Sequence, residues 1–186
     1  MEFPGVWVNT SRTLIYRVVP KCACSTIGQI LHHGDHGTFY DGDIHACPRR
    51  KFDIVCFNFS LHYIFETREK FFSSIREIKK RIKQGGQLIG IIPDSEKIIF
   101  KTPLVDDMGN FFKMKDHGNG GFGEKLWVHL ANTPYYADGP KPEPVAYKDH
   151  LVTGLEDLGF SLVKWESLKG NPISELYSKF IFVYNR

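Results

Sequence analysis

The segment NFSLHYIFE, residues 58–66, combines aromatic rings, a histidine and small polar side chains directly after the apolar run FDIVCF. Rings of this kind stack on flat ligands, while histidine, serine and asparagine can bond to the polar edges of such ligands. Two interpretations of the segment are open. It forms the wall of a pocket for a flat, polar, stackable ligand, or it is one more part of the hydrophobic core.

A second chemical signal lies in RVVPKCACSTIGQIL, residues 17–31. Lys21 supplies positive charge, and Ser25 and Thr26 supply hydroxyl groups at the start of a predicted short helix, STIGQILHH. A helix N-terminus that carries such groups is suited to binding a phosphate. The nearby cysteines and histidines lack the paired spacing of zinc ligands, so we predict no metal site.

These residues depend on a βαβ unit for their positions. FDIVCFNF has the continuous apolar character of a strand buried on both faces, and QLIGIIP is predicted to be a second such strand. ETREKFFSSIREIKKRIKQGG between them is predicted to be an amphipathic helix with Gly85 just beyond its end. Its apolar positions are Phe71, Ile75, Ile78 and Ile82. Ligands of parallel sheets bind beyond the carboxyl ends of the strands, where NFSLHY begins.

The remaining segments predict the same α/β class. RTLIYRVVP, LWVHLAN, SLVKWESL and SKFIFVY are expected to be strands, and YKDHLVTGLEDLGF a helix. Residues 101–125 and 132–144 are rich in Gly, Pro and Asp and are expected to be loops or lids. We expect an N-terminal strand–loop–helix segment at 1–48 and an α/β domain at 49–186.

Bulk composition narrows the function classes. Hydrophobic residues make up 42% of the 186 residues and aromatic residues 14%, which indicates a globular protein rich in stacking surface. The net charge of +3 permits a polyanionic partner without requiring one. No apolar run approaches the ~20 residues of a membrane helix, so we expect no membrane partner. Four cysteines without a secretion signal favour an intracellular protein.

Four motifs, taken in order, resemble mRNA cap guanine-N7 methyltransferases, the giant-virus members above all. They are FDIVCFNFSLHYIFE, IKQGGQLIGIIPD, EPVAYKDHLV and SELYSKFIFVY, and the resemblance runs from about residue 43 to 186. It implies a Rossmann-like class I fold, S-adenosylmethionine as cofactor and the capped 5′ end of RNA as substrate. It also implies other capping-enzyme subunits or domains as partners, and a cytoplasmic (virus-infected cell) or nuclear location.

The resemblance assigns roles to individual residues. Cap-binding residues would be Phe59, His62, Glu143 and Phe180, the last standing where the family has a tyrosine. Cofactor-binding residues would be Asp43, Asn58, Ser60 and Tyr63. Asn58 stands where the family has glutamine.

The N-terminal part departs from the family, because the DxGxGxG turn of a class I cofactor site is absent. The cofactor half of the fold is therefore expected to be incomplete or replaced. Residues 13–45 instead resemble the opening of sulfotransferases, which implies that Lys21, Ser25 and Thr26 bind 3′-phosphoadenosine 5′-phosphosulfate. Three functions stay open: a cap methyltransferase, either active or truncated or inactive; a sulfotransferase-like protein; and a non-catalytic cap-binding or partner subunit.

Overall fold

The structure is a computed structural model that describes the backbone of two short N-terminal strands and residues 51–114, 121–131 and 134–186. The predicted helix at 25–33 lies outside the described residues, as do Lys21, Ser25, Thr26 and Asp43.

The predicted βαβ unit is confirmed. Strand β3 (Phe52–Asn58) and strand β4 (Ile82–Pro93) are parallel neighbours, joined through helix α1 (Arg68–Arg81). Two shorter strands precede them, β1 (Val6–Val8) and β2 (Leu14–Arg17). Strand β2 pairs in parallel with β3, so the N-terminal segment contributes to the same sheet as the predicted domain.

Local sequence determines where helix α1 begins, and tertiary packing determines where it ends. The Thr67 side chain accepts a hydrogen bond from the backbone N–H of Lys70 at 3.1 Å, which caps the helix. The predicted end at Gly85 is wrong, because the helix stops at Arg81 and Ile82 is already extended. Ile82 pairs with Phe52 across the sheet and is fully buried, so tertiary packing overrides the helical pattern there.

The C-terminal elements complete the main sheet. Helix α3 (Lys148–Glu156), strand β9 (Phe160–Ser167) and strand β10 (Tyr177–Tyr184) confirm the predicted helix and strands. The strand order is β1-β2-β3-β4-β10-β9, with β10 antiparallel to both of its neighbours. The side chains of β3, β4, β10, α1 and α3 form one continuous hydrophobic core.

The strand predicted from LWVHLAN is confirmed, whereas the prediction of loops at 101–125 and 132–144 is wrong in part. Strands β5 (Leu104–Val105), β6 (Phe111–Met114), β7 (Lys125–His129) and β8 (Lys141–Pro144) form a separate four-stranded antiparallel sheet. It packs a second core around Phe112, Leu126 and Val128. Helix α2 (Ser95–Lys101) begins directly after β4 and contributes Ile98 to this core.

Candidate functional site

The segment after β3 divides into a core side and a site side. Phe59 still donates its backbone N–H to the carbonyl of Ile91 at 2.9 Å, but its φ of 53° turns the chain away from the sheet. A 3₁₀ helix, Leu61–Glu66, follows and buries the side chains of its Leu, Ile and Phe residues in the main core. The core interpretation of NFSLHYIFE therefore holds for these three side chains, and the pocket interpretation stays a prediction for the others.

His62 and Glu143 form the centre of the site. They are 81 positions apart in the sequence, and His62 Nε2 lies 3.0 Å from Glu143 Oε2. Their exposed fractions are 2% and 7%. A carboxylate buried to this degree needs hydrogen-bond donors, and the histidine ring supplies one. The structure thus brings together two residues that the sequence assigned to the same role.

Tyr136 is a third member of this centre that sequence reasoning did not identify. It ends a short 3₁₀ helix, Pro134–Tyr136, and its hydroxyl donates to Glu143 Oε1 at 2.8 Å. The ring of His129, at the end of β7, stands edge-on to the Tyr136 ring at 5.9 Å between centroids. Each oxygen of the Glu143 carboxylate therefore has its own donor. The signal in the sequence is only a tyrosine near Glu143, which is too common to identify a site.

Aromatic rings line the carboxyl edge of the sheet beside this centre. The Tyr63 ring lies 4.1 Å from the His62 ring, tilted by 38°. The Phe59 ring meets the Tyr177 ring edge-on at 5.2 Å. Phe59, Tyr63 and Tyr177 are only partly buried, so their rings retain surface for a ligand. Tyr177 is the first residue of β10 and was also missed by the sequence analysis.

Phe180 lies in the hydrophobic core. Its side chain is 1% exposed, and its ring stacks on Trp165 at 6.1 Å. Alternate residues of β10 point to the same side of the sheet, which places Ser178, Phe180 and Phe182 together inside. A cap guanine could not stack on Phe180 without opening the core. In this structure Phe180 has a packing role, and the β10 ring that lies at the site belongs to Tyr177.

Two buried polar atoms at the site lack a hydrogen-bond partner within the described part of the chain. They are Ser60 Oγ and His62 Nδ1. Burying such a group without a partner costs free energy, so native proteins generally pair it with protein, water or ligand. Asn58, the last residue of β3, is half-buried next to them, and its side-chain oxygen accepts from Cys56 Sγ at 3.5 Å. This corner of the site fits a polar ligand.

The carboxyl end of β4 is held by a buried aspartate. Asp94 Oδ2 accepts from Ser178 Oγ at 2.6 Å and from Trp165 Nε1 at 3.0 Å, and its backbone N–H donates to the carbonyl of Leu176 at 2.9 Å. Lys97 Nζ lies 3.3 Å from the same carboxylate oxygen. These contacts join the end of β4 to the start of β10, which fixes the backbone that carries Tyr177.

Two structural findings concern metal binding and membrane-spanning helices. Within residues 51–114, 121–131 and 134–186, no group of three or more His, Cys, Asp or Glu side chains could hold a metal ion. Across the described residues, no helix is both long and apolar enough to cross a lipid bilayer.

Comparison with known families gives a match over more than half of the chain. Residues 21–127 match the sequence model of the mRNA (guanine-N7)-methyltransferase domain. This match begins inside the segment that resembles sulfotransferases, and nothing in the comparisons supports that second resemblance, so it is not confirmed.

Individual relatives agree with this match. An mRNA cap guanine-N7 methyltransferase of Candida glabrata is 30% identical over 121 residues, which are 63% of this chain and 27% of that protein. One from Schizosaccharomyces pombe is 26% identical over 148 residues, 75% of this chain and 38% of that protein. The chain thus spans well under half the length of these relatives.

The fold also has a solved counterpart. The crystal structure of an S-adenosylmethionine-dependent methyltransferase from Clostridium acetobutylicum has a TM-score of 0.53 at 13% identity, with 88% of this chain and 72% of that chain covered. This likeness shows the fold, which is that of class I S-adenosylmethionine-dependent methyltransferases, as predicted.

Proposed function

Since the chain belongs to the mRNA (guanine-N7)-methyltransferase domain family, we propose that it binds the guanine of capped RNA 5′ ends for methyl transfer to N7. The observation that carries this proposal is the buried Glu143 carboxylate, which His62 and Tyr136 hold at the carboxyl edge of the sheet. Partly exposed aromatic rings lie next to it.

Glu143 has the chemistry to recognise guanine. The Watson–Crick edge of guanine presents two adjacent donors, N1–H and the N2 amino group, and an ionised carboxylate accepts from both at once. Adenine presents an acceptor at N1 and cannot make this pair. Each carboxylate oxygen has two lone pairs, so a bond from His62 or Tyr136 does not by itself prevent the same oxygen from accepting from a base.

The aromatic rings contribute a second, less specific interaction. Phe59, Tyr63 and Tyr177 offer π surfaces to a purine, and base–aromatic stacking contributes about 1–3 kcal/mol per base. Methylation at N7 gives the guanine a positive charge, which strengthens its attraction to an aromatic face. Stacking holds the base in the site, and the carboxylate selects which base is held.

The residues at the corner of the site fit S-adenosylmethionine. Asn58 ends β3 and the Ser60 hydroxyl, which lacks a described partner, follows it; the carboxyl end of β3 lies beside those of the parallel strands β2 and β4. The cofactor supplies a sulfonium-bound methyl group. Guanine N7 carries a lone pair at neutral pH, so no general base is required of the protein. The chain's own contribution is to align the base and to exclude water, which can contribute up to ~7–11 kcal/mol.

Calorimetry with three ligands tests this function. Titration of the chain with S-adenosylmethionine and with the cap analogue GpppG is expected to give a saturable heat of binding for each ligand. Titration with 3′-phosphoadenosine 5′-phosphate is the matched control and is expected to give none. Binding of that nucleotide alone would contradict the proposal, as would the absence of GpppG binding to the folded protein.

A further inference from the structure

The small antiparallel sheet has two faces, and one of them packs into the second core. Alternate residues of β6 and β7 are buried there, namely Phe112, Met114, Leu126 and Val128. The residues between them point to the other side of the sheet, which we call the outer face. The centre of the outer face carries one residue of β5, two of β6, one of β7 and one of β8, which are Val105, Phe111, Lys113, Trp127 and Pro142.

Two large aromatic side chains lie on the outer face. Phe111 and Trp127 are only partly buried. In the part of the chain that the structure describes, neither side chain belongs to one of the two hydrophobic cores. Lys113 pairs with Trp127 across the strands, so Phe111 and Trp127 are diagonal neighbours, about 7 Å apart. The rings therefore offer two adjacent surfaces for stacking.

The charge at the centre of the outer face is positive. Lys113 is exposed beside Trp127 and forms no ion pair with any residue that the structure describes. The nearest acids in sequence, Asp106 and Asp107, lie in the turn between β5 and β6, where the Asp106 carboxylate accepts hydrogen bonds from Asn110. A lysine beside aromatic rings is suited to a chain of phosphates and bases. An apolar protein surface would have to bury the same ammonium group without a partner, which costs free energy.

Strand β8 brings the outer face next to the candidate site. Pro142 and Glu143 are consecutive residues of β8 and point to opposite sides of the sheet, Pro142 opposite Trp127 and Glu143 opposite Leu126. β8 is also an edge strand of the small sheet. An RNA strand whose cap is held by Glu143 therefore has only this one strand to cross before it reaches the Trp127 ring.

We propose that the outer face of the small sheet binds the transcribed nucleotides that follow the cap. This inference rests on the proposed function. The Phe111 and Trp127 rings stack on two successive bases, and the Lys113 ammonium group contacts a phosphate. Four-stranded sheets that carry aromatic rings hold single-stranded RNA in this manner. Each stacked base raises the affinity by about fivefold to one hundredfold.

The affinities for two ligands separate this site from the cap site. GpppG occupies the cap site alone, while a GpppG-capped RNA with four further nucleotides also reaches the outer face. By calorimetry at one salt concentration, the wild-type protein is expected to bind the capped RNA at least about tenfold more tightly than GpppG. Equal affinities would overturn the proposal and favour a protein partner for this face. Failure to bind GpppG at all would contradict the proposed function, and this inference with it.

The Trp127→Ala variant removes one stacking surface. We expect its ratio of capped-RNA to GpppG affinity to fall at least about fivefold, with the GpppG affinity unchanged. The ratio is measured on one protein sample, so a partly unfolded fraction affects both ligands equally and cancels. Phe100→Ala is the matched control, because Phe100 is 88% exposed but lies on helix α2. An unchanged ratio in Trp127→Ala, or an equal fall in Phe100→Ala, would overturn the proposal.

The Lys113→Gln variant tests the phosphate contact through its dependence on salt, which a loss of stability alone would not change. For the capped RNA, the slope of log affinity against log salt concentration is expected to become shallower by about 0.7, the value for one phosphate of a single strand. Lys51→Gln is the control, since Lys51 is exposed immediately before β3, at the other end of that strand from the candidate site. Its slope should equal that of the wild type. An unchanged slope in Lys113→Gln would contradict a phosphate contact on the outer face.

Discussion

At the scale of single residues, Asp94 shows how hydrogen bonds fix the backbone next to the candidate site. Burial raises the pKa of its carboxyl, but the hydrogen bonds from Ser178 and Trp165 and the nearby Lys97 ammonium outweigh this, so the pKa lies below its ordinary value. A carboxyl whose pKa is lowered by folding stabilises the protein above its unfolded pKa. That stabilisation is lost as the pH falls through the folded pKa.

The Asp94→Asn variant is expected to lose about 1–3 kcal/mol of unfolding free energy at pH 7, because a buried charge-assisted network is broken. Below about pH 4, near the unfolded pKa of an aspartate, the difference from the wild type should shrink. Urea unfolding at pH 7, 5 and 3 measures this. Asp138→Asn is the control, since Asp138 also faces a lysine three positions away but is 89% exposed. An equal loss in both variants would contradict the role of Asp94.

At the scale of elements, β4 approaches β3 and β10 so closely that one position excludes a side chain. A Cβ atom at Gly90 would lie 2.2 Å from the Phe57 carbonyl oxygen and 2.7 Å from Phe180 Cζ. The Phe180 ring fills the space that this glycine leaves. Gly90 pairs with Phe57, one position before the last residue of β3, so this close approach lies next to the carboxyl end that carries the candidate site.

Gly90→Ala is therefore expected to destabilise the fold by about 1–3 kcal/mol or more, as overpacking does. Thermal unfolding provides the measurement. Gly121→Ala is the control, because a Cβ there would meet no heavy atom within 4 Å, and its effect should stay within about 0.5 kcal/mol. Equal melting temperatures for the two variants would show that the close approach at Gly90 does not affect the free energy of unfolding.

At the scale of the whole molecule, long hydrophobic patterns predicted most of the main sheet. The apolar runs of β3, β4 and β10 and the periodicity of α1 and α3 are each long enough to indicate their type. In the small sheet only β7 was predicted, from LWVHLAN. The other three strands were missed because they are two to four residues long and lie among Gly- and Asp-rich segments. Such strands depend on pairing with one another, and that information is tertiary.

The candidate site, like the fold, could be predicted only in part from the sequence. The resemblance placed His62 and Glu143 in one role, and the structure brings them within hydrogen-bond distance. Tyr136 and Tyr177 could not be found in this way, since their importance comes from a hydroxyl direction and a ring position that only the folded chain defines. Phe180, which the resemblance assigned to the cap, is buried in the core, and the side of the sheet that a strand residue faces is fixed only by the register of the folded sheet.

The most direct test of the account is the affinity of the chain for GpppG, measured by calorimetry for the wild type and for Glu143→Ala. We expect saturable binding by the wild type and a loss of about 1–3 kcal/mol in the variant, the free energy of leaving the donors of the base unpaired. An unchanged affinity in a folded Glu143→Ala protein would contradict the claim that this carboxylate recognises the cap guanine.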